Sequence, residues 1–233
     1  MITTGSPSSS GIKTEIVDVV SGETCADHAD FPLPNYGAVG ANLHETPVVC
    51  GGGSSSTDYH KCYKFTSSGW QEFASMKKKR YGAAGVMFQN KFHVLGGYDG
   101  SVRLKTSELI IIDGGVEYGP ELPSAVMSHA ITSINSTVSM LSGGATNANY
   151  YSPLTWYFNH ETGAFSSGPS LLEDRYDHGS ATCVDKVTKA KIPIVTGGFG
   201  SGDVYLDSTE LLINEQWQSG TIQCKKATCF DLL

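Results

Sequence analysis

The sequence predicts an all-β fold in which about five copies of a four-stranded antiparallel sheet stack around an axis. Three observations predict it. A glycine pair that closes a short apolar run recurs at intervals of about 48 residues. Other residue columns keep the same register as the glycines, which a chance scattering of glycines would not do. Apolar spacing at i, i+3, i+4, i+7 is essentially missing, and single apolar runs are too short for helices.

The glycine pair stands in "PVVCGGG" (Gly51, Gly52), "HVLGG" (Gly96, Gly97), "VSMLSGG" (Gly143, Gly144) and "IPIVTGG" (Gly197, Gly198), with a worn copy, Gly5 and Ser6, in "MITTGS". Steps between the first glycines are 46, 45, 47 and 54 residues. The long last step is read as a hairpin insertion, "DKVTKAK" at 185–191. Each pair is expected at φ > 0, where a strand ends and backbones approach closely. Ahead of it lies a small-residue segment, "YGAVGAN", "YGAAGVM", "SHAITSI" or "HGSATCV". That segment is predicted to be the innermost strand, because strands converging on an axis leave no room for large side chains. After the pair come a third strand ("TEIVD", "SELII", "TELLI") and an outer strand bearing Trp70, Tyr118, Phe165 or Trp217; the first copy has Cys25 there. One such sheet cannot bury both faces, whereas stacked copies can, so residues 1–233 read as a single domain.

Composition excludes several functions. The formal charge is −7, and the one basic cluster, "KKKR" at 77–80, suits a solvated loop better than the basic stripe of a nucleic-acid binder. No apolar run approaches the roughly 20 residues a bilayer crossing needs. The first residues, "MITTGSPSSSG", lack the basic start and apolar stretch of a secretory signal, so an export signal is expected only outside this sequence. The compartment stays open between extracellular and cytoplasmic. Six cysteines (25, 50, 62, 183, 224 and 229) contain no CxxC pair, which leaves a zinc knuckle unsupported. Cys50 and Cys62 could meet across one hairpin as a disulfide or remain free thiols. Asn135-Ser136-Thr137 is a glycosylation sequon, relevant only in a secreted protein.

Catalytic signals are sparse. "GGGSSSTDYH" and "GGFGSGD" lack both the following helix and the lysine of a phosphate loop. The seven histidines form no H-x-x-x-H with a third ligand nearby, and no G-x-S-x-G elbow exists. "EDRYDHGS" (173–180) gathers acids, an arginine and a histidine, and is read as a charged loop leading into an inner strand. The sequence therefore implies no cofactor and no metal.

The combined columns resemble the kelch repeat over nearly the whole chain: the glycine doublet, the following "YDG", the "SEL/TEL" strand, and the outer aromatic with "GPELP" or "GPSL". The resemblance implies a β-propeller whose four-stranded sheets are its blades. It also singles out residues just before the inner strands: Arg80 in "KKKRYGAA", and Arg175 and His178 in "EDRYDHGSA", with His129 alone in "MSHA". Arg80, Arg175 and His178 are candidates for a second face, where they could hold an acidic group or bond neighbouring carbonyls. Kelch propellers usually have six or seven blades. This chain opens at a doublet strand, so five blades result if "ATCFD" (227–231), an echo of "ATCVD" (181–185), pairs with residues 1–4. Otherwise the chain is a truncated propeller. A closed ring implies a monomer, and an open arc a chain prone to associate.

Relatives of this type include carbohydrate oxidases and sugar-acid epimerases, substrate receptors of ubiquitin ligases, and actin binders. "GETCADHADFPLPNYGAVGANLHETPVVCGG" with "HKCY" also looks like cysteine-bearing, extracellular kelch proteins of invertebrates. The expected function is non-enzymatic binding of a protein partner, the identity of which the sequence does not carry. Loops on a rigid scaffold are where recognition residues collect, and tyrosine and arginine are enriched at binding hot spots. The candidates follow the glycine pairs: Asp58, Tyr59 and His60; Tyr98, Asp99 and Arg103; Asn147, Tyr150 and Tyr151; Phe199, Asp203 and Tyr205. The competing role for such aromatics is to wedge between blades.

Overall fold

The computed structural model describes residues 2–3, 13–17, 24–25, 28–54, 56–111, 115–185, 187–220 and 227–230, with 2–3, 16–17, 24–25 and 227–230 as backbone only. Gly5, Ser6 and Cys224 lie outside the described residues. Every regular element among these residues is a strand, so the all-β class holds, and no helix is long and apolar enough to cross a membrane. The repeating element is the four-stranded antiparallel sheet of a β-propeller. The chain forms two compact units, one of residues 1–102 with 108–118, the other of residues 103–107 with 119–233.

The first unit begins with a three-stranded sheet of β1 (Ile2–Thr3), β2 (Thr14–Val17) and β3 (Thr24–Cys25). Two full blades follow, each in sequence order: β4 (Tyr36–Leu43), β5 (Thr46–Gly53), β6 (Lys61–Thr66) and β7 (Gly69–Ser75), then β8 (Ala84–Phe88), β9 (Lys91–Leu95), β10 (Ser107–Ile111) and β11 (Gly115–Tyr118). The β4–β5 hairpin closes Leu43 against Thr46 through His44 and Glu45, both at positive φ, the backbone of a type I′ turn that matches strand twist. Leu43, Val48, Cys50, Cys62, Met76, Phe92, Val94 and Ile110 form the core. The inner strands do approach closely: a Cβ on Gly85 would lie 2.5 Å from Val39 Cγ2. Cys50 and Cys62 face each other across β5 and β6 and are joined as a disulfide.

The second unit contains β12 (Val126–Met127), β13 (Ala130–Ser133), β14 (Val138–Ser142), β15 (Ala145–Thr146), β16 (Thr155–Asn159) and β17 (Phe165–Ser167). β13, β14, β16 and β17 make a four-stranded blade, and β12 pairs with β15. Next come β18 (Gly179–Asp185), β19 (Lys191–Thr196), β20 (Phe199–Gly200), β21 (Val204–Tyr205), β22 (Thr209–Ile213), β23 (Gln216–Ser219) and β24 (Ala227–Phe230). Their main sheet runs β23-β22-β19-β18-β24, and β20 pairs with β21. Met140, Leu171, Val195, Leu212 and Trp217 pack between the two blades of this unit. Thr182 Oγ1 on β18 donates to the carbonyl of Ser133 on β13 at 2.6 Å, so successive inner strands adjoin.

The tail is where the pairing differs from expectation. β24 lies antiparallel to β18, with Cys183 opposite Cys229, while β1 pairs with β2. The described part of the echo, "ATCF" at 227–230, thus adds to its own template, an inner strand of the same β-branched and small residue types. The insertion at 185–191 sits where expected, in the β18–β19 hairpin, and Asp185 Oδ1 accepts from the amides of Val187 and Thr188.

Candidate functional site

Two residues of the arginine column organise the loops. Arg80 donates through Nη2 to Glu108 Oε1 at 2.9 Å and through Nη1 to the carbonyl of Gly96 at 2.6 Å. Glu108 also accepts from the amides of Lys77 and Lys78. The second unit repeats the arrangement: Arg175 reaches Glu210 Oε1 at 2.7 Å and the carbonyl of Gly197 at 2.9 Å, and Glu210 accepts from the amides of Leu172 and Glu173. Both ion pairs are sealed from solvent. Each arginine thus holds the glutamate of its own "SEL" or "TEL" strand, Arg175 also pairing with Glu173 Oε2 at 3.2 Å, and the two buried side chains do not present a second face. Burial lowers the Arg80 pKa, opposed by Glu108. His178 is likewise buried, with Nε2 2.9 Å from Ser142 Oγ, and desolvation pushes its pKa down to about 3.

The clamp fixes the residue that follows each arginine. Tyr81 and Tyr98 exchange backbone hydrogen bonds of 2.9 and 2.8 Å, and Tyr176 and Phe199 exchange bonds of 3.0 and 2.9 Å. The aromatics after the Gly96–Gly97 and Gly197–Gly198 pairs are thereby tied to tyrosines at the lead-in to an inner strand. All eight glycines of the four pairs have φ between 62° and 95°.

In the first unit the candidates serve mainly the scaffold. Asp58 bridges to Gly53, and Tyr59 links the Gly52 carbonyl to the Arg80 amide through its own backbone. The His60 carbonyl accepts from the Met76 amide. Asp99 Oδ1 accepts from the amides of Ser101 and Val102, and these bonds, the one from Val102 foremost, hold its carboxyl below the ordinary range. Tyr98 is half-buried beside this turn.

In the second unit the candidates converge. The rings of Tyr150 and Tyr151 lie 5.4 Å apart, and each is 5.5 Å from Tyr176. Tyr176 stacks on Phe199 at 5.3 Å, and Phe199 meets Tyr205 at 4.4 Å. The Arg103 guanidinium sits over the Tyr150 ring at 5.4 Å. Tyr151 donates its hydroxyl to Asp203, which raises the phenol pKa to about 12 and ties the loop after one glycine pair to the loop after the next. The cluster is not closed over: Tyr150 is 57% exposed and Tyr205 79%, with Val204 beside it also exposed. Asn147 is exposed in the loop that carries Tyr150.

Six sequence candidates (Arg103, Tyr150, Tyr151, Phe199, Asp203 and Tyr205) thus form one surface. Its central ring, Tyr176, was not among them. The signal that finds it is the column itself, since Tyr176 follows Arg175 as Tyr81 follows Arg80. Among the described residues no three His, Cys, Asp or Glu side chains gather as a metal site. No family model matches the chain, and no curated protein matches it.

Proposed function

We propose that the chain is a kelch-type propeller that binds a protein partner, without catalysing a reaction on it, through the aromatic surface of its second unit. The carrying observation is the exposed five-ring cluster of Tyr150, Tyr151, Tyr176, Phe199 and Tyr205, contributed by three separate loop segments. Tyrosines offer large contact area at low entropic cost and a hydroxyl at the rim, which is why they dominate binding hot spots. The buried arginine clamp supports the reading, because rigid loops lose little freedom on association. Ring faces and the Asp203 carboxylate suit a partner segment that carries arginine or lysine.

Kelch character rests on the repeated doublet, the arginine column and the glutamate of the "SEL/TEL" strand, which the ion pairs join. The Cys50–Cys62 disulfide favours a partner met outside the cell over a receptor role in a cytosolic ubiquitin ligase.

The test begins by identifying the partner captured by the wild-type chain and measuring its affinity for Tyr150→Ala/Tyr151→Ala and for Tyr205→Ala. Losses of about tenfold or more are expected, as for hot-spot tyrosines. Tyr118→Ala, which removes an exposed tyrosine of the first unit, should leave the affinity unchanged. Equal affinity for all variants would overturn the assignment.

A further inference from the structure

We propose that Asn135 is a site of N-linked glycosylation. The triplet Asn135-Ser136-Thr137 forms the turn between β13 and β14, where Asn135 and Ser136 are exposed. The turn presents the side chain in a defined way. Asn135 Oδ1 accepts from the amides of Thr137 at 2.9 Å and Val138 at 2.8 Å, and from the Thr137 hydroxyl at 3.3 Å. All described hydrogen bonds of this side chain fall on its oxygen, and the residue that carries the Nδ2 amide is exposed. The hydroxyl that a transferase requires two residues on is therefore already engaged with the acceptor amide.

The reaction joins Asn135 Nδ2 to the anomeric carbon of a lipid-diphosphate-linked oligosaccharide. The anomeric C–O bond breaks, the lipid diphosphate leaves with the bonding electrons, and Nδ2 gives up one proton. No electrons are exchanged with an oxidant. The compartment that supplies this donor also forms disulfides, and Cys50, Cys62 and Cys183 are all disulfide-bonded. Location in the blade makes the product compatible with the fold. Asn135 precedes β14 and the Gly143–Gly144 pair follows it, so the strand's length, about 17 Å, separates the glycan from the loops that follow the pair. A glycan there covers no core residue and leaves the tyrosine surface free.

The test expresses the full chain behind a cleavable signal in eukaryotic cells and recovers it from the secretory route, whether secreted or retained. Peptide N-glycosidase digestion in heavy-oxygen water should convert Asn135 to isotopically labelled aspartate and remove a glycan-sized mass. Asn135→Gln and Thr137→Ala should each abolish the modification, while Thr137→Ser should keep it at reduced occupancy. Recovery of an oxidised chain with Asn135 unmodified would overturn the proposal, as would a glycan that survives Thr137→Ala.

Discussion

Arg175 Nη2 lies 2.7 Å from Glu210 Oε1, and neither side chain reaches solvent. An ion pair so placed contributes little relative to a well-packed apolar pair, yet breaking it strands a buried charge. Glu108→Ala should cost about 3–5 kcal/mol in urea unfolding through Arg80, and Glu210→Ala less, because Glu173 Oε2 stays 3.2 Å from Arg175. The double replacement Arg175→Met/Glu210→Leu should recover much of the loss. A single-residue loss below about 1 kcal/mol would mean that the clamp does not hold the loops.

The glycine pair is expected to resist substitution for two reasons that act together. Gly143 has φ of 62°, and a Cβ placed there would lie 2.4 Å from the Arg175 carbonyl oxygen. That oxygen already accepts from the Gly144 amide at 2.8 Å. Gly143→Ala should lower stability by more than about 1 kcal/mol, and the melting temperature reads it directly. An unchanged melting temperature would show that the carbonyl yields freely.

Disulfide content gives a third expectation. Cys50 and Cys62 are joined, and Cys183 is also disulfide-bonded, so no more than two of the six cysteines should titrate as free thiols in denaturant. Replacing Cys50 and Cys62 together by alanine should cost about 2–3 kcal/mol, the magnitude for closing a short loop. Six reactive thiols in the oxidatively folded chain would contradict the pairing.

Acid should weaken the second unit through two buried histidines. Both ring nitrogens of His129 and Nδ1 of His178 find no partner among the described residues. Burial depresses the pKa of His129 to about 4 and of His178 to about 3, with Arg175 adding to the effect on His178. An unfolded histidine takes up its proton near pH 6.5, before either folded one does. Stability is therefore full above about pH 6.5 and falls as the pH drops toward the folded values, by about 1.4 kcal/mol per pH unit for each histidine. Melting temperatures measured from neutral pH to about pH 5 should show the slope, and His129→Leu should reduce it. A flat profile for the wild type would refute the assignment.

The tyrosine surface carries a fifth expectation. Asp203→Asn keeps a hydrogen-bond acceptor for Tyr151 and removes the charge. Partner affinity should fall if a basic segment docks there, and the fall should shrink at high salt, as binding assays at two ionic strengths would show. Equal affinity of the two proteins at low salt would exclude a role for the carboxylate.

Much of this architecture could be read from residues close together in the chain. The glycine pairs mark strand ends because positive φ is a local demand, and "GAAGV" or "ATCVD" reads as an inner strand because crowding selects small residues wherever it occurs. Cys50 and Cys62, twelve positions apart across a hairpin, belong to the same class. Arg80 and Arg175 were visible as a column, but their burial was not. Whether an arginine faces solvent depends on where Glu108 and Glu210, 28 and 35 residues on, deliver their carboxylates.

By itself, then, the sequence determined the strands, their order within a blade and the repeat that stacks them, since each follows from short-range periodicity and backbone preference. Tertiary structure alone decided which aromatics form a surface. Tyr81 and Tyr176 occupy the same column, yet only Tyr176 meets Tyr150, Tyr151 and Phe199. It also decided that β24 pairs with β18. The physical reason is the same in both cases: these contacts join residues about 20 to 50 positions apart, and strand-edge hydrogen bonds and ring packing carry no local pattern that announces their partner.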